Sequence, residues 1–466
     1  MSKTPIINSI HKHLSKRPYS THTPGHKGGQ IIPTALREKW PQEMWQYDLT
    51  EIDGLDNLHD PSGCIKDAQK LTAQLYNAQA SYFLVNGTSV GIQAAIMALA
   101  YNSPIFVPRN VHKSIYNGLI LANAEPIYLP VTYDETLGCP LGIEPEDLEL
   151  WIKKYPQCKT IILTHPTYQG ISYKFQEVIS VAHANNLQII VDEAHGSHLA
   201  FHPDLPLAAL SLGAHIVIQS WHKTLPVLTQ ASVLHIGHNY SGPSITQFLN
   251  MLQTTSPSYL LLASLDACQA FLAEYKIEQI AETINNIESL KKKVASLRNL
   301  SIYSQKNNCQ FDPYKICLTS NKTSGYHLAE LLQKRYDIYI ELAEERYCLI
   351  LLGIINSQDF IQKLLRVLID IDKSLEELPV FSFTKEKNPQ IIPKTVVRLQ
   401  EAFFRPKEKL DIDKALGKVA GDFLIKYPPG VPLLVPGEII DQRIIAILKK
   451  DIEKFKIEDG IFVLNE

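Results

Sequence analysis

The chain has seven cysteines in 466 residues, and no two form a Cys-x-x-Cys pair. That argues against a disulfide framework and against a cysteine-built zinc site, and it fits a reducing compartment. No apolar run approaches the roughly 20 residues a membrane-spanning helix needs. The start, Met1-Ser2-Lys3-Thr4-Pro5, leads into a polar stretch without the apolar core of a secretory signal. Neither sign of charge dominates: 45 Lys and Arg stand against 48 Asp and Glu, for a formal net charge of -3. Such a balance offers no general attraction for nucleic acid. There is no Gly-Lys-Ser/Thr phosphate loop, no internal repeat and no low-complexity tract. These absences predict a cytoplasmic globular chain with no nucleic-acid or membrane partner. Its length calls for two or three domains.

What is present is a regular alternation. Short apolar runs at Ser81–Val85, Ile105–Val107, Ile127–Leu129, Thr160–Leu163, Leu187–Val191, Ile216–Ile218 and Ala231–Ile236 read as strands. Helical segments such as Val90–Ala100 and Phe175–Ala184 separate them. Apolar strands spaced by helices predict a mostly parallel α/β sheet covered on both faces. A helix over Ile277–Leu297, strands at Tyr314–Leu318 and Tyr347–Leu352, and a helix over Asp359–Leu375 predict a smaller αβ domain. Residues 376–395 read as a linker, followed by a helix near Ile412–Leu416 and the Pro/Gly-rich stretch Tyr427 to Glu438. The expected division is an N-terminal arm (1–47), a large domain (48–298), a small αβ domain (299–375), and a linker with a C-terminal α+β domain (376–466).

Polar residues gather where these strands end, the rim on which open α/β sheets bind ligands. The run Ile216-Val217-Ile218-Gln219 ends in Ser220-Trp221-His222-Lys223. Taken alone, Lys223 is compatible with an ordinary surface lysine. Asp192 ends the strand one unit earlier, and Asn86-Gly87-Thr88-Ser89 joins a strand to a helix start, where free N–H groups and the helix dipole favour an anion. A lysine to bond an aldehyde, a buried carboxylate to keep a pyridine nitrogen protonated, and a phosphate cradle together point to pyridoxal phosphate. Two alternatives stand beside this. Asp192, His195, His198 and His202 have the chemistry of metal ligands, but a metal site leaves Lys223 and the turn unexplained, so no metal is expected. A Ser/His/Asp hydrolase is the other.

Eight stretches stand out along the chain: Thr23-Pro24-Gly25-His26-Lys27, the acidic segment Asp48–Pro61, Asn86-Gly87-Thr88-Ser89, Arg109-Asn110-Val111-His112-Lys113-Ser114, Pro166-Thr167-Tyr168-Gln169-Gly170, Val191-Asp192-Glu193-Ala194-His195-Gly196, Ser220-Trp221-His222-Lys223, and Pro429–Glu438. Together they resemble the Orn/Lys/Arg decarboxylase family. They occur in the family's order over most of the chain, and the length resembles its short members. The resemblance implies the fold of fold-type I pyridoxal-phosphate enzymes and decarboxylation of arginine, lysine or ornithine, arginine slightly favoured, to a polyamine-type amine. It implies that Lys223 bonds the cofactor, Asp192 pairs with its ring nitrogen and His112 stacks on the ring. Gly87, Thr88, Ser89, Ser220 and His222 would hold the phosphate, and Lys223 or His222 would return a proton to the product. His195 would lie beside the cofactor, where the large inducible members have Trp. Asp53, Asp56 and Glu438 are candidates to meet the substrate's cationic side chain. The resemblance also implies a homodimer or higher homo-oligomer with active sites at the subunit interface. An aminotransferase, a carbon–carbon lyase or a non-catalytic cofactor-binding protein is the alternative reading.

Overall fold

The computed structural model describes residues 3–304, 309–354, 358–381, 392–426, 430–450, 452, 457 and 460–465. Residues 382–391 of the expected linker and 427–429 of the Pro/Gly-rich stretch lie outside them.

Seven strands form the main sheet: β1 (Ala80–Leu84), β2 (Pro104–Pro108), β3 (Glu125–Leu129), β4 (Thr160–Thr164), β5 (Gln188–Asp192), β6 (Ile216–Gln219) and β7 (Ser232–Ile236). These are the strands expected from the sequence, with ends shifted by a residue or two. The order across the sheet is β1-β7-β6-β5-β4-β2-β3. Six run in one direction, and β7 pairs antiparallel with both β1 and β6. Neighbouring residues of a strand feed different cores. Val107, Ile162, Ile190 and Ile218 join the helix Gly87–Ala100 on one face. Phe106, Ile161, Ile189 and Val217 join the helix Phe175–Ala184 on the other. With both faces buried, the strands are apolar throughout rather than alternating.

A second sheet is antiparallel, built from β8 (Leu300–Ile302), β9 (Lys315–Ser320), β10 (Leu342–Ala343) and β11 (Cys348–Leu351), in the order β8-β9-β11-β10. It is tied closely to the first beside Gly170. Ile171–Ser172, just beyond β4, pairs with Gln310–Phe311, and the Asp312 N–H donates to the Gly170 carbonyl at 2.8 Å. Gly170 sits at φ +86°, and a Cβ there would lie 3.0 Å from side-chain atoms of both Asp312 and Lys315. The close approach of the two sheets therefore needs glycine.

The first helix, Pro5–Ser15, is part of the core: Ile6 and Ile10 are fully buried with Ile65, Tyr259 and Leu262. The carboxylate of Asp266 accepts the N–H groups of Ile6 and Ile7 at 2.9 and 3.0 Å. Towards the C-terminus, Ala420, Leu434, Ile444 and Val463 form a separate small core. The helix expected at Ile412–Leu416 is a 3-10 turn over Ile412–Lys414. Gly417, at φ +79°, turns the backbone out of the helical region before a further turn can form. Among the described residues no helix is long and apolar enough to cross a membrane.

The helix Gly87–Ala100 lies close on the sheet because Gly91 faces it: a Cβ there would come 2.7 Å from Leu84 and 3.0 Å from Ile218. Gly91→Val overfills this contact and should cost about 1–3 kcal/mol of stability. Urea unfolding followed by circular dichroism measures it, and an unchanged midpoint would mean the helix has room to move away.

Candidate active site

Lys223 is positioned by what surrounds it in sequence. Trp221, fully buried, donates its indole N–H to Gln219 Oε1 at 3.1 Å, and Gln219 Nε2 donates to Glu193 Oε2 at 2.6 Å. This buried network ends β6 and fixes the single helical turn Trp221–Thr224 with Lys223 on the rim. Burial pushes the Lys223 ammonium below its ordinary range, against the opposing pull of Asp192 and Glu341. A lysine with a weakened hold on its proton is the form that attacks an aldehyde.

Asp192 ends β5 and is 4% exposed. Its Oδ1 accepts the Ala194 N–H at 3.2 Å. Burial raises its pKa, and Lys223 and His112 act against that rise. A carboxylate so placed gains from a buried cation, which is what a protonated ring nitrogen would be. His112 caps the helix Lys113–Leu121: its Nδ1 accepts the Ser114 N–H at 3.2 Å. Burial lowers its pKa. His222 Nδ1 lies 3.1 Å from the Ala231 carbonyl, so that nitrogen carries the proton and Nε2 is left to face outward. Burial lowers the pKa of His222 as well.

The turn after β1 has the features of an anion cradle. The helix begins at Gly87, and no side chain caps it. Asn86, at the capping position, turns its Oδ1 to the Thr254 N–H instead, at 3.1 Å. The first N–H groups of this helix are thus left for a ligand. Gly87 is at φ +75°, with open space where a Cβ would be. Thr88 Oγ1 lies 3.0 Å from Ser220 Oγ, which joins this turn to the strand end that leads to Lys223. The expected residues Gly87, Thr88, Ser220, His222, Lys223, Asp192 and His112 therefore converge on one rim, and Ser89 sits exposed at its mouth. The donor set suits a phosphate-bearing aldehyde.

His195 is placed between two lysines. Its Nε2 lies 3.0 Å from Lys223 Nζ and its Nδ1 lies 2.8 Å from Lys315 Nζ. Burial first, and then the two lysines, hold its pKa well below the ordinary imidazole range, so the ring is neutral. Lys315 was not anticipated. It belongs to the second sheet, and in sequence Lys315-Ile316-Cys317-Leu318 reads as a strand with a charged edge.

The three carboxylates considered for substrate charge have different fates. Glu438 is fully buried and bridged to Arg109, with Nη2 to Oε2 at 3.0 Å, and it also accepts the Val435 N–H at 2.8 Å. Asp56 accepts the N–H groups of Ser62, Gly63 and Ile65 at 2.8–2.9 Å, at the start of the helix Cys64–Leu75. Both are occupied within the chain. Asp53 is exposed and makes no hydrogen bond or ion pair among the described residues.

Neither alternative chemistry assembles. His198 pairs with Asp312 at 3.0 Å and His202 lies 3.7 Å from Asp204. Among the described residues no group of three or more His, Cys, Asp or Glu is arranged to hold a metal ion. Gly87-Thr88-Ser89-Val90-Gly91 does spell the Gly-x-Ser-x-Gly of a nucleophile elbow. Ser89, however, has no histidine hydrogen-bonded to it among the described residues, and the turn lacks the base that chemistry requires.

Replacing Glu438 by Gln leaves the buried Arg109 guanidinium without its counter-charge. Stability should fall by about 3–5 kcal/mol in chemical denaturation. A variant of native stability with a weakened substrate KM would instead give Glu438 to the substrate.

The family model for the major domain of Orn/Lys/Arg decarboxylases matches residues 4–329, and that for their C-terminal domain matches residues 380–456. The chain is 34% identical over 455 residues to the uncharacterized protein YaaO of Bacillus subtilis, covering 96% of this chain and 94% of that one. It is 32% identical over 460 residues to the arginine decarboxylase of the same organism, covering 97% and 94%. Lysine decarboxylase LdcF of Francisella novicida has the same fold, with a TM-score of 0.85 at 20% identity over 99% of this chain and 81% of that one. A match that runs through the whole main sheet and resumes in the C-terminal part makes this chain a member of the Orn/Lys/Arg decarboxylase family.

Proposed function

We propose that the protein is a pyridoxal-phosphate-dependent decarboxylase of a basic L-amino acid, with arginine preferred to lysine or ornithine. The observation that carries this is the meeting of the Lys223 amine, the buried Asp192 and the uncapped helix start at Gly87 on one rim. Family membership and the name of the full-length arginine decarboxylase relative support it.

In this reading Lys223 would bond the aldehyde, Asp192 would pair with the ring nitrogen and His112 would stack on the ring. Thr88, Ser89, Ser220, His222 and the backbone of Gly87 hold the phosphate. When bound, the cofactor supplies an electron sink for the pair left as the α-carboxylate departs. The chain has two tasks besides binding. It would orient the substrate's α-carboxylate for loss toward that electron sink, and it would keep the buried site free of competing water. Lys223 Nζ or His222 Nε2 then delivers a proton to Cα of the departing amine. Glu438 and Asp56 are engaged inside the chain, so Asp53 becomes the leading carboxylate for the substrate's cationic end. Its exposure fits a role across the interface of a homodimer. A guanidinium would meet it through a fork of two N–H groups, an ammonium through a single contact.

Carbon dioxide release from arginine, lysine and ornithine, measured beside keto-acid formation, tests the reaction. Release from arginine without keto acid is expected. Keto acid as the main product would make the protein an aminotransferase, and no turnover of any of the three would overturn the proposal. Lys223→Ala should abolish both turnover and the visible absorbance of bound cofactor. Asp192→Asn should retain some cofactor but lower turnover on the order of 100-fold or more, and a near-normal rate there would remove Asp192 from its role.

A further inference from the structure

Lys315 is a fully buried lysine outside the machinery described so far. It opens β9 on the second sheet, yet its amine reaches the main-sheet rim. Lys315 Nζ lies 2.8 Å from the Tyr168 carbonyl and 2.8 Å from His195 Nδ1. The other ring nitrogen, His195 Nε2, lies 3.0 Å from Lys223 Nζ. Two amines thus share one imidazole, one at each nitrogen.

Counting protons restricts what this chain can hold. A neutral imidazole has one N–H and one lone pair, and an ammonium is a donor without a lone pair. If Lys315 carries the charge, Nδ1 must accept, Nε2 carries the ring proton, and Lys223 must receive it as a free amine. If Lys223 carries the charge, the ring takes the other tautomer and Lys315 is the free amine. Two ammonium ions would leave the ring N–H pointing at a donor. The geometry admits at most one positive charge between the two lysines.

We propose that Lys315 is a positioning residue for Lys223, exchanging a single proton with it through His195 and holding that proton whenever Lys223 is required as a free amine. The transfer balances within the three residues. The N–H bond on Lys223 breaks as one forms on His195 Nε2, while the N–H on His195 Nδ1 breaks as one forms on Lys315 Nζ. No outside acid or base takes part.

The surroundings suit a charge that changes place. Asp312, fully buried, and Glu341 favour a proton on Lys315, whereas Lys223 and burial disfavour it, leaving its pKa at about 8. Asp192 and Glu341 favour a proton on Lys223. Burial first, and then the neighbouring Lys223, Lys315, His112 and His198, keep the ring neutral. Burial weakens the hold of both amines on a proton, and each has a carboxylate that favours its charged form, so the single charge has a place at either end of the imidazole.

The inference rests on the reading of Lys223 as the aldehyde-bonding lysine, and one experiment separates the two. The full chain, stripped of aldehyde, is mixed with pyridoxal phosphate, and the rate of capture is followed by absorbance across pH. Lys223→Ala should capture nothing. Capture at the wild-type rate would overturn both the reading and the inference. In Lys315→Met, Lys223 has no partner to take its proton, so the midpoint of the profile should rise by about one pH unit, a roughly tenfold loss of rate below it. A merely structural role would lower the amount of folded protein and leave the midpoint in place. Should Lys315→Met not fold, as judged by near-ultraviolet circular dichroism, His195→Phe cuts the same link and should shift the midpoint the same way. A profile superimposed on wild type, while Lys223→Ala remains inert, would overturn the relay and leave the assignment of Lys223 standing.

Discussion

The parallel register between β5 and β6 is what the site depends on. Asp192 lies opposite Ile218, and on its other side opposite Thr164 at the end of β4. Because Ser220, His222 and Lys223 follow Ile218 directly, the carboxylate and the amine are brought to one rim by the sheet's own hydrogen bonds. Side chains alternate between faces, so a slip of one residue would turn every buried Ile and Val of a strand to the wrong core. The cores on the two faces, built from Ile190 and Ile218 on one and Ile189 and Val217 on the other, make that slip prohibitive. Packing far from the rim thereby sets the distance between the carboxylate and the amine.

Upon this frame sits a crowd of basic side chains. His112, His195, His222, Lys223 and Lys315 all occupy one buried region, where each charge lacks water and repels the others. Burial pushes the pKa of every one of them down. The histidines respond by staying neutral and anchoring one nitrogen: His222 to the Ala231 carbonyl, and His112 to the Ser114 N–H. Carboxylates are placed where cations remain, Asp192 near Lys223 and Asp312 near Lys315. Glu438, by contrast, spends its charge on Arg109, stitching the C-terminal stretch to the residues after β2.

Much of this was legible in the sequence. The strands of the main sheet show as apolar runs because both faces are buried, and their ends show because Asp192, Thr88 and Lys223 break those runs abruptly. The convergence of Gly87, Thr88, Ser220 and Lys223 follows from strand ends alone. What the sequence concealed depends on contacts between distant segments. Lys315 looks like a charged strand edge because nothing near it in sequence reveals the imidazole it meets. Asp56 and Glu438 look like available carboxylates because their partners, the turn at Ser62–Ile65 and Arg109, are fixed only by the fold. The helix near Ile412 was misjudged for a local reason, the left-handed backbone of Gly417. The elbow-like Gly87–Gly91 run shows the converse: the same five letters form an uncapped helix start with no base beside the serine.

The contact at Gly170 gives the site an order in time. His195 and Lys315 are separated by 120 residues, and they meet beside the pairing of Ile171–Ser172 with Gln310–Phe311. The main sheet precedes the second sheet along the chain, so the array of Lys223, His195 and Lys315 is complete only when the later sheet has docked on the earlier one.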